Sequence, residues 1–283
     1  MKTIIINNGI KMPILGFDVF QITDLEECEN SVIEAIKSGY RLIDTAASYK
    51  NEVAVGNAIK KCGVPREELF ITTKVWVEDV TYEKTKKAFY KSLEKLQLDY
   101  LDMYLIHQPY NDVFGAWRAM EELYEEGKIR AIGVCNFSPD RLVDLSINSK
   151  IKPAINQIET HPFCQQIEPH KILKDENIQH QSWGPFAEGK EGIFENELLK
   201  SIGKKYNKSI AQVILKWLIQ RDIVAIPKSV KIERMVENIN IFDFELSDED
   251  MSKIATLDKN QSSFFNHSDV AMVKWLCERK LEE

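Results

Sequence analysis

The feature that most constrains this chain is a recurrence: a short apolar run, then a charged stretch with helical periodicity, repeated along the length. Strand-like runs fall at 16–20 (GFDVF), 40–44 (YRLID), 69–74 (LFITTK), 101–107 (LDMYLIH), 129–136 (IRAIGVCN), 154–159 (AINQIE), 178–183 (IQHQSW) and 223–227 (IVAIP). They are mostly continuous rather than alternating, the pattern of parallel strands covered on both faces by helices. Between them, 25–38 follows a cap at Thr23 or Asp24 and stops at Gly39. The spans 81–96 and 114–126 are equally periodic, the second ending at Gly127. Eight strands with intervening helices predict an α/β fold, a single (β/α)8 TIM barrel.

Two features lie outside that count. The segment TIIINNGIKMPIL predicts an N-terminal hairpin turning at Asn8-Gly9. The span 247–257 predicts an extra helix before an irregular tail. No Pro-rich linker or long charge block divides the chain, so 1–283 is expected to form one domain. The tail from about 258 to 283 either lies over the pocket or packs outside it. A doubly wound sheet is the competing architecture, but no G-x-G-x-x-G follows a strand. A dinucleotide would have to be held some other way.

Charge and cysteines narrow the setting. A net charge of −7 argues against general affinity for nucleic acid or an anionic membrane. The N-terminus has no secretory apolar segment, and no run is long enough to span a bilayer. Five scattered cysteines with no C-x-x-C pair suit reduced thiols, and hence a cytoplasmic protein. No His/Cys spacing matches a metal site. No heptad or apolar stripe calls for a partner chain, so a monomer is expected.

Barrel active sites gather at the C-terminal ends of the strands. Those ends deliver Asp44, Lys74 and His107 from three successive strands, with Tyr49 five residues past Asp44. Singly, each has an ordinary use: a helix cap, a rim charge, a satisfied core histidine, a loop aromatic. Together they are hard to explain as packing, because a core has little use for four polar groups in one place. A Lys ammonium beside a tyrosine stabilises phenolate and is expected to lower its pKa from about 10. Asp44 would keep Lys74 charged, and His107 would orient a substrate oxygen. The set suits proton donation to an oxygen gaining negative charge, as carbonyl reduction requires.

The sequence resembles the aldo-keto reductases through R-L-I-D-T-A-A-S-Y (41–49), I-T-T-K (71–74), L-I-H-Q-P (105–109), G-V-C-N-F (133–137), N-Q-I-E (156–159) and I-P-K-S (226–229). The resemblance implies that Tyr49 is the general acid, that Lys74 and Asp44 tune it, and that His107 orients the carbonyl. It implies NADPH (NADP+ in the reverse direction) as cofactor, with Asn136 and Gln157 on the carboxamide and Trp183 stacked on the nicotinamide. Lys228, Ser229 and Arg234 would clasp the 2′-phosphate, while Glu237 and Asn238 face the adenine. Val19, Phe20, Gly184, Phe186 and Val230 complete the expected cofactor contacts. Phe20, Trp76, Tyr49 and His107 would line the substrate mouth. The features are similar to those of small microbial members that reduce 2-oxoaldehydes, diketones and keto-sugar acids, such as the 2,5-diketo-gluconate and methylglyoxal reductases. Three positions depart from the family pattern. Asp18 stands where Gly is usual and would repel a pyrophosphate unless turned away; Cys135 replaces Ser; Gly184 replaces a Ser found in some members.

Two other functions compete. A barrel aldolase could use Lys74 as a Schiff-base amine, although Asp44 should keep that lysine charged. A non-catalytic NADPH sensor would have no need of a proton donor.

Overall fold

In a computed structural model, which describes residues 2–281, eight parallel strands follow one another around a barrel in chain order. After the hairpin strands β1 (Thr3–Ile5) and β2 (Lys11–Pro13) come β3 (Phe17–Asp18), β4 (Leu42–Asp44), β5 (Phe70–Val75) and β6 (Leu101–Ile106). The second half comprises β7 (Ile129–Cys135), β8 (Ile155–Glu159), β9 (Gln179–Trp183) and β10 (Val224–Ala225). Backbone bonds close the ring: Gly16 N donates to Ala225 O at 2.8 Å and Asp18 N to Pro227 O at 3.2 Å. Closure demands a glycine at 16, where an added Cβ would sit 2.5 Å from Leu42 Cγ.

The helices are α1 (Leu25–Lys37), α2 (Glu52–Lys61), α3 (Tyr82–Leu96), α4 (Val113–Glu125), α5 (Pro139–Ile147), α6 (Ile167–Asp175), α7 (Glu197–Tyr206), α8 (Ile210–Gln220), α9 (Ile232–Ile239), α10 (Asp248–Ala255) and α11 (Val270–Glu278). Local sequence explains their limits. Asp24 caps α1 by accepting from Glu27 N at 2.7 Å, and the buried face carries Cys28, Val32, Ala35 and Ile36 at helical spacing. Thr81 caps α3 in the same way. Ser209 and Gln212 form a capping box that opens α8.

Two apolar layers result. One lies between strands and helices; the other fills the barrel with Leu42, Met103, Leu105, Ile155 and Val224. The β1–β2 hairpin adds Ile6 and Met12 to the inner layer and plugs the bottom. Its turn is tied down by Asn7 and Asn8, which donate to Pro153 O and Arg130 O. With the bottom filled, only the opposite rim remains open to a ligand.

The tail departs from expectation, for it is not irregular throughout. Asp269 accepts from Ala271 N and Met272 N and starts α11. That helix packs Leu276 against Trp76 and Val77, with Tyr110 and Phe265 at the edge. No helix among the described residues is long and apolar enough to cross a membrane.

Candidate active site

The three polar residues from the strand ends meet Tyr49 at the open rim. Asp44 ends β4, Lys74 lies one residue from the end of β5, and His107 follows β6. Tyr49 closes a one-turn helix at 47–49 that the RLIDTAASY segment places above β4. Lys74 Nζ bonds Asp44 Oδ1 closely, and donates to Thr45 O at 3.0 Å and Tyr49 OH at 3.2 Å. Gln157 Nε2 donates to the other Asp44 oxygen at 2.9 Å. The His107 ring stands edge-on to Tyr49 at 5.7 Å and to Trp76 at 5.3 Å.

Burial dominates the electrostatics. Asp44 and Lys74 are fully enclosed, so each needs the other's charge. Burial is the largest single influence and alone would discharge Lys74, but Asp44, joined by Tyr49, Cys135 and Asp18, outweighs it and holds the ammonium protonated. For Tyr49 the expected direction is reversed. Burial pushes its phenol well above 10, Lys74 offsets only part of this, and Asp18 and Asp44 add to the rise. A lysine neighbour by itself would lower the phenol's pKa, but desolvation outweighs it, and the phenol stays protonated. Burial, then Lys74, push His107 well below its usual range, so its ring is neutral. Its Nδ1 lies 3.3 Å from Ser48 Oγ.

One cavity of ≈ 850 Å³ covers this cluster, within the range of roughly 300–1,000 Å³ usual for ligand sites. Tyr49, Trp76, His107 and Phe20 line one end, and Asn136, Gln157, Trp183, Gly184 and Phe186 its middle. Lys228, Ser229, Arg234, Glu237 and Asn238 line the other end. Gly184 has φ +58, a left-handed conformation that a serine would hold only under strain. Asn136 is engaged by its neighbours: Nδ2 donates to His107 O at 3.0 Å, and Oδ1 accepts from Trp183 Nε1 at 2.8 Å. Gln157 Oε1 accepts from Cys135 Sγ at 3.6 Å.

Two expected contacts lie elsewhere. Val19 is fully buried in the core, because its side chain points away from the rim. Val230 faces α1 across a separate shallow groove with Asp24 and Glu27. Asp18, by contrast, is not turned away: it borders the cavity.

Several wall residues had no sequence signal of their own. Ser48 lies inside the RLIDTAASY motif without a distinguishing mark. Ser209 and Ile210 arrive from the start of α8. The tail supplies Phe264, Phe265, His267, Trp275, Leu276 and Arg279 to the wall. Phe264 packs on Trp183 at 5.1 Å between ring centres. Glu159, at the end of β8, clasps this segment by accepting from Ser262 Oγ at 2.5 Å, Ser263 N at 2.9 Å and His161 Nε2 at 2.8 Å. Farther along, Trp76 Nε1 donates to Arg279 O at 2.9 Å. Glu159→Ala is expected to loosen 262–267 locally. Limited proteolysis should then cut near Lys259 several times faster; unchanged cleavage would show that the clasp does not hold the tail.

The donor set at the far end fits a phosphorylated dinucleotide. Lys228 and Arg234 are exposed to the cavity, and neither is in an ion pair among the described residues. Arg234 sits in the first turn of α9, where the helix dipole adds attraction for an anion. Aromatic rings at Trp183 and Phe186 provide flat surfaces between that end and Tyr49.

A sequence profile described as the Aldo/keto reductase family matches residues 20–259. Among curated proteins, a glyoxal reductase of Bacillus subtilis (strain 168) is 53% identical over 260 residues, covering 92% of this chain and 94% of that one. A methylglyoxal reductase of Escherichia coli (strain K12) is 42% identical over 259 residues, covering 90% and 93%. Among solved structures, a Bombyx mori aldo-keto reductase in complex with NADP superposes with a TM-score of 0.90 at 34% identity, covering 96% of each chain.

Proposed function

Because the chain belongs to the aldo/keto reductase family and is an NADP(H)-dependent carbonyl reductase, we propose that it reduces short 2-oxoaldehydes, with Tyr49 as general acid. Bound NADPH supplies the hydride that the carbonyl carbon receives. Tyr49 donates its proton to the carbonyl oxygen as negative charge develops there. The Lys74 ammonium, 3.2 Å from the phenol oxygen, stabilises the phenolate left behind. Neutral His107 orients the same oxygen, and Trp76 with Phe20 keeps the reacting end apolar. Asn136 and Gln157 would hold the carboxamide, and Trp183 would carry the nicotinamide ring. Diketones and keto-sugar acids share the reacting group and are the further substrates of this reading.

The observation that carries this reading is the buried Asp44–Lys74–Tyr49 chain, opening into a cavity whose far end holds Lys228 and Arg234, neither in an ion pair among the described residues. A Schiff-base role for Lys74 is disfavoured by the same surroundings, since Asp44 and its neighbours together keep the amine protonated. Glyoxal and methylglyoxal are the first substrates to try, because two relatives bear those names. The five free cysteines favour a reducing compartment, and we place the enzyme in the cytoplasm as a monomer.

NADPH consumption should be followed with glyoxal, methylglyoxal, a diketone and a keto-sugar acid. No turnover by folded protein that binds NADPH would overturn the reading in favour of a sensor. Arg234→Ala is expected to raise the Kd for NADPH by about 10–100-fold, the equivalent of about 1.5–3 kcal/mol for charged hydrogen bonds. The Kd for NADH should barely move. Equal losses for both cofactors would place the 2′-phosphate elsewhere.

A further inference from the structure

Several buried carboxylates in this protein meet a lysine or arginine, and Glu159, which does not among the described residues, accepts from Ser262, Ser263 N and His161 instead. Asp44 has Lys74, Asp102 has Arg66 at 2.7 Å and Arg130 at 2.6 Å, and Asp250 has Lys205 at 2.7 Å. Asp18 is also buried, at 8% exposure, yet no lysine or arginine pairs with it among the described residues. Its carboxyl receives only backbone N–H groups, that of Phe20 at 3.1 Å. Its Cα partner across the sheet is Asp44, so two acids stand side by side at the rim.

Asp18 also borders the cavity assigned to the cofactor, one strand away from Tyr49. The groups facing it leave no compensating charge. Asp44 and Lys74 cancel each other, and Tyr49 is neutral. Cys28 of α1 and Cys135 of β7 are thiols held neutral by burial. Lys228 lines the same cavity but is exposed at the end that receives the phosphate. An ionised Asp18 therefore leaves a net negative charge beside the path of an anionic ligand.

We propose that Asp18 is a proton site coupled to cofactor occupancy, its carboxyl taking up one proton from solvent when NADPH enters the cavity. The proton returns to solvent when the cofactor leaves. The physical cause is twofold: the entering pyrophosphate adds negative charge, and it expels water that solvates the carboxylate. The inference rests on the cavity being the NADPH site, and the test separates the two.

The sign follows from linkage. Burial, then Asp44, push the free carboxyl up to about 7, and NADPH pushes it higher. Below that value the carboxyl already holds its proton, so affinity does not depend on it. Above it, binding must draw a proton from solvent, and Kd rises by up to about tenfold per pH unit. The phosphate of the cofactor titrates near about 6 and acts in the opposite sense, so the informative window lies above neutrality.

NADPH Kd should be measured by quenching of protein fluorescence from pH 6.5 to 9, with proton uptake measured in weak buffer at pH 8. In the wild type, Kd is expected to rise about 10–100-fold across pH 7–9, with roughly half to one proton taken up. Asp18→Asn, and Asp18→Gly as a second variant, should bind NADPH with a Kd flat within about threefold and no such uptake. Equal slopes in wild type and variants, or a flat wild type, would overturn the proposal. A folded wild type that binds no NADPH at any pH would overturn the cofactor assignment, and this proposal with it.

Discussion

Tyr49→Phe is expected to lower kcat/KM for carbonyl reduction by about 10²–10⁴-fold, the usual worth of a positioned proton donor. Phenylalanine keeps the ring that packs on Phe20 at 4.9 Å and on His107 at 5.7 Å, so the wall of the site survives. Only the hydroxyl above Lys74 is lost. NADPH binding should therefore stay within about twofold of wild type. Steady-state kinetics with methylglyoxal, beside a fluorescence titration with NADPH, separates chemistry from binding. Turnover equal to wild type would mean that another group supplies the proton.

Lys74→Met produces the second large effect, this time on the fold as well. Asp44 would remain fully buried with Gln157 as its chief donor and no counter-charge. Removing one partner of a buried ion pair costs about 3–5 kcal/mol. For a domain of this size that is a fall of roughly 10 °C in Tm. Adding Asp44→Asn should recover part of the loss, because the stranded charge is removed. Differential scanning calorimetry of the single and double variants reads this directly. A single variant as stable as wild type would show that Asp44 is already neutral in the native protein.

The barrel was legible because its strands are buried on both faces. LFITTK and LDMYLIH read as mostly continuous runs without polar alternation, and β5 and β6 occupy them to within a residue. The rim strands were less legible. GFDVF and IVAIP each span five residues, yet β3 and β10 pair regularly over only two. Beyond Ala225, Pro227 has no N–H to extend the ladder, and Asp18 N reaches across to its carbonyl instead.

Polar residues at strand ends were legible for the same reason as the strands: a barrel fixes where its ends point. Loop neighbours were not. Val19 and Val230 stand next to wall residues in sequence, but adjacent side chains face different ways, and both turned elsewhere. The helix α11 had a readable cap in Asp269, followed by VAMVKWLCE. Its weak periodicity, with Leu276 alone fully buried, concealed it. The direction of the Tyr49 shift could not be read from residue types either, because depth within the rim decides it.

The clasp at Glu159 and the anchor at Trp76 divide the cavity by ancestry of its parts. The end with Lys228 and Arg234 is made by residues of the barrel and of α9, whereas the end with Tyr49 and Trp76 takes much of its wall from the last twenty residues described. Those residues contribute a single fully buried side chain from α11 and form no part of the sheet. On the proposed assignment, substrate choice and cofactor choice would be largely separately heritable here. A relative's tail spliced on after α10 would exchange one without rewriting the other.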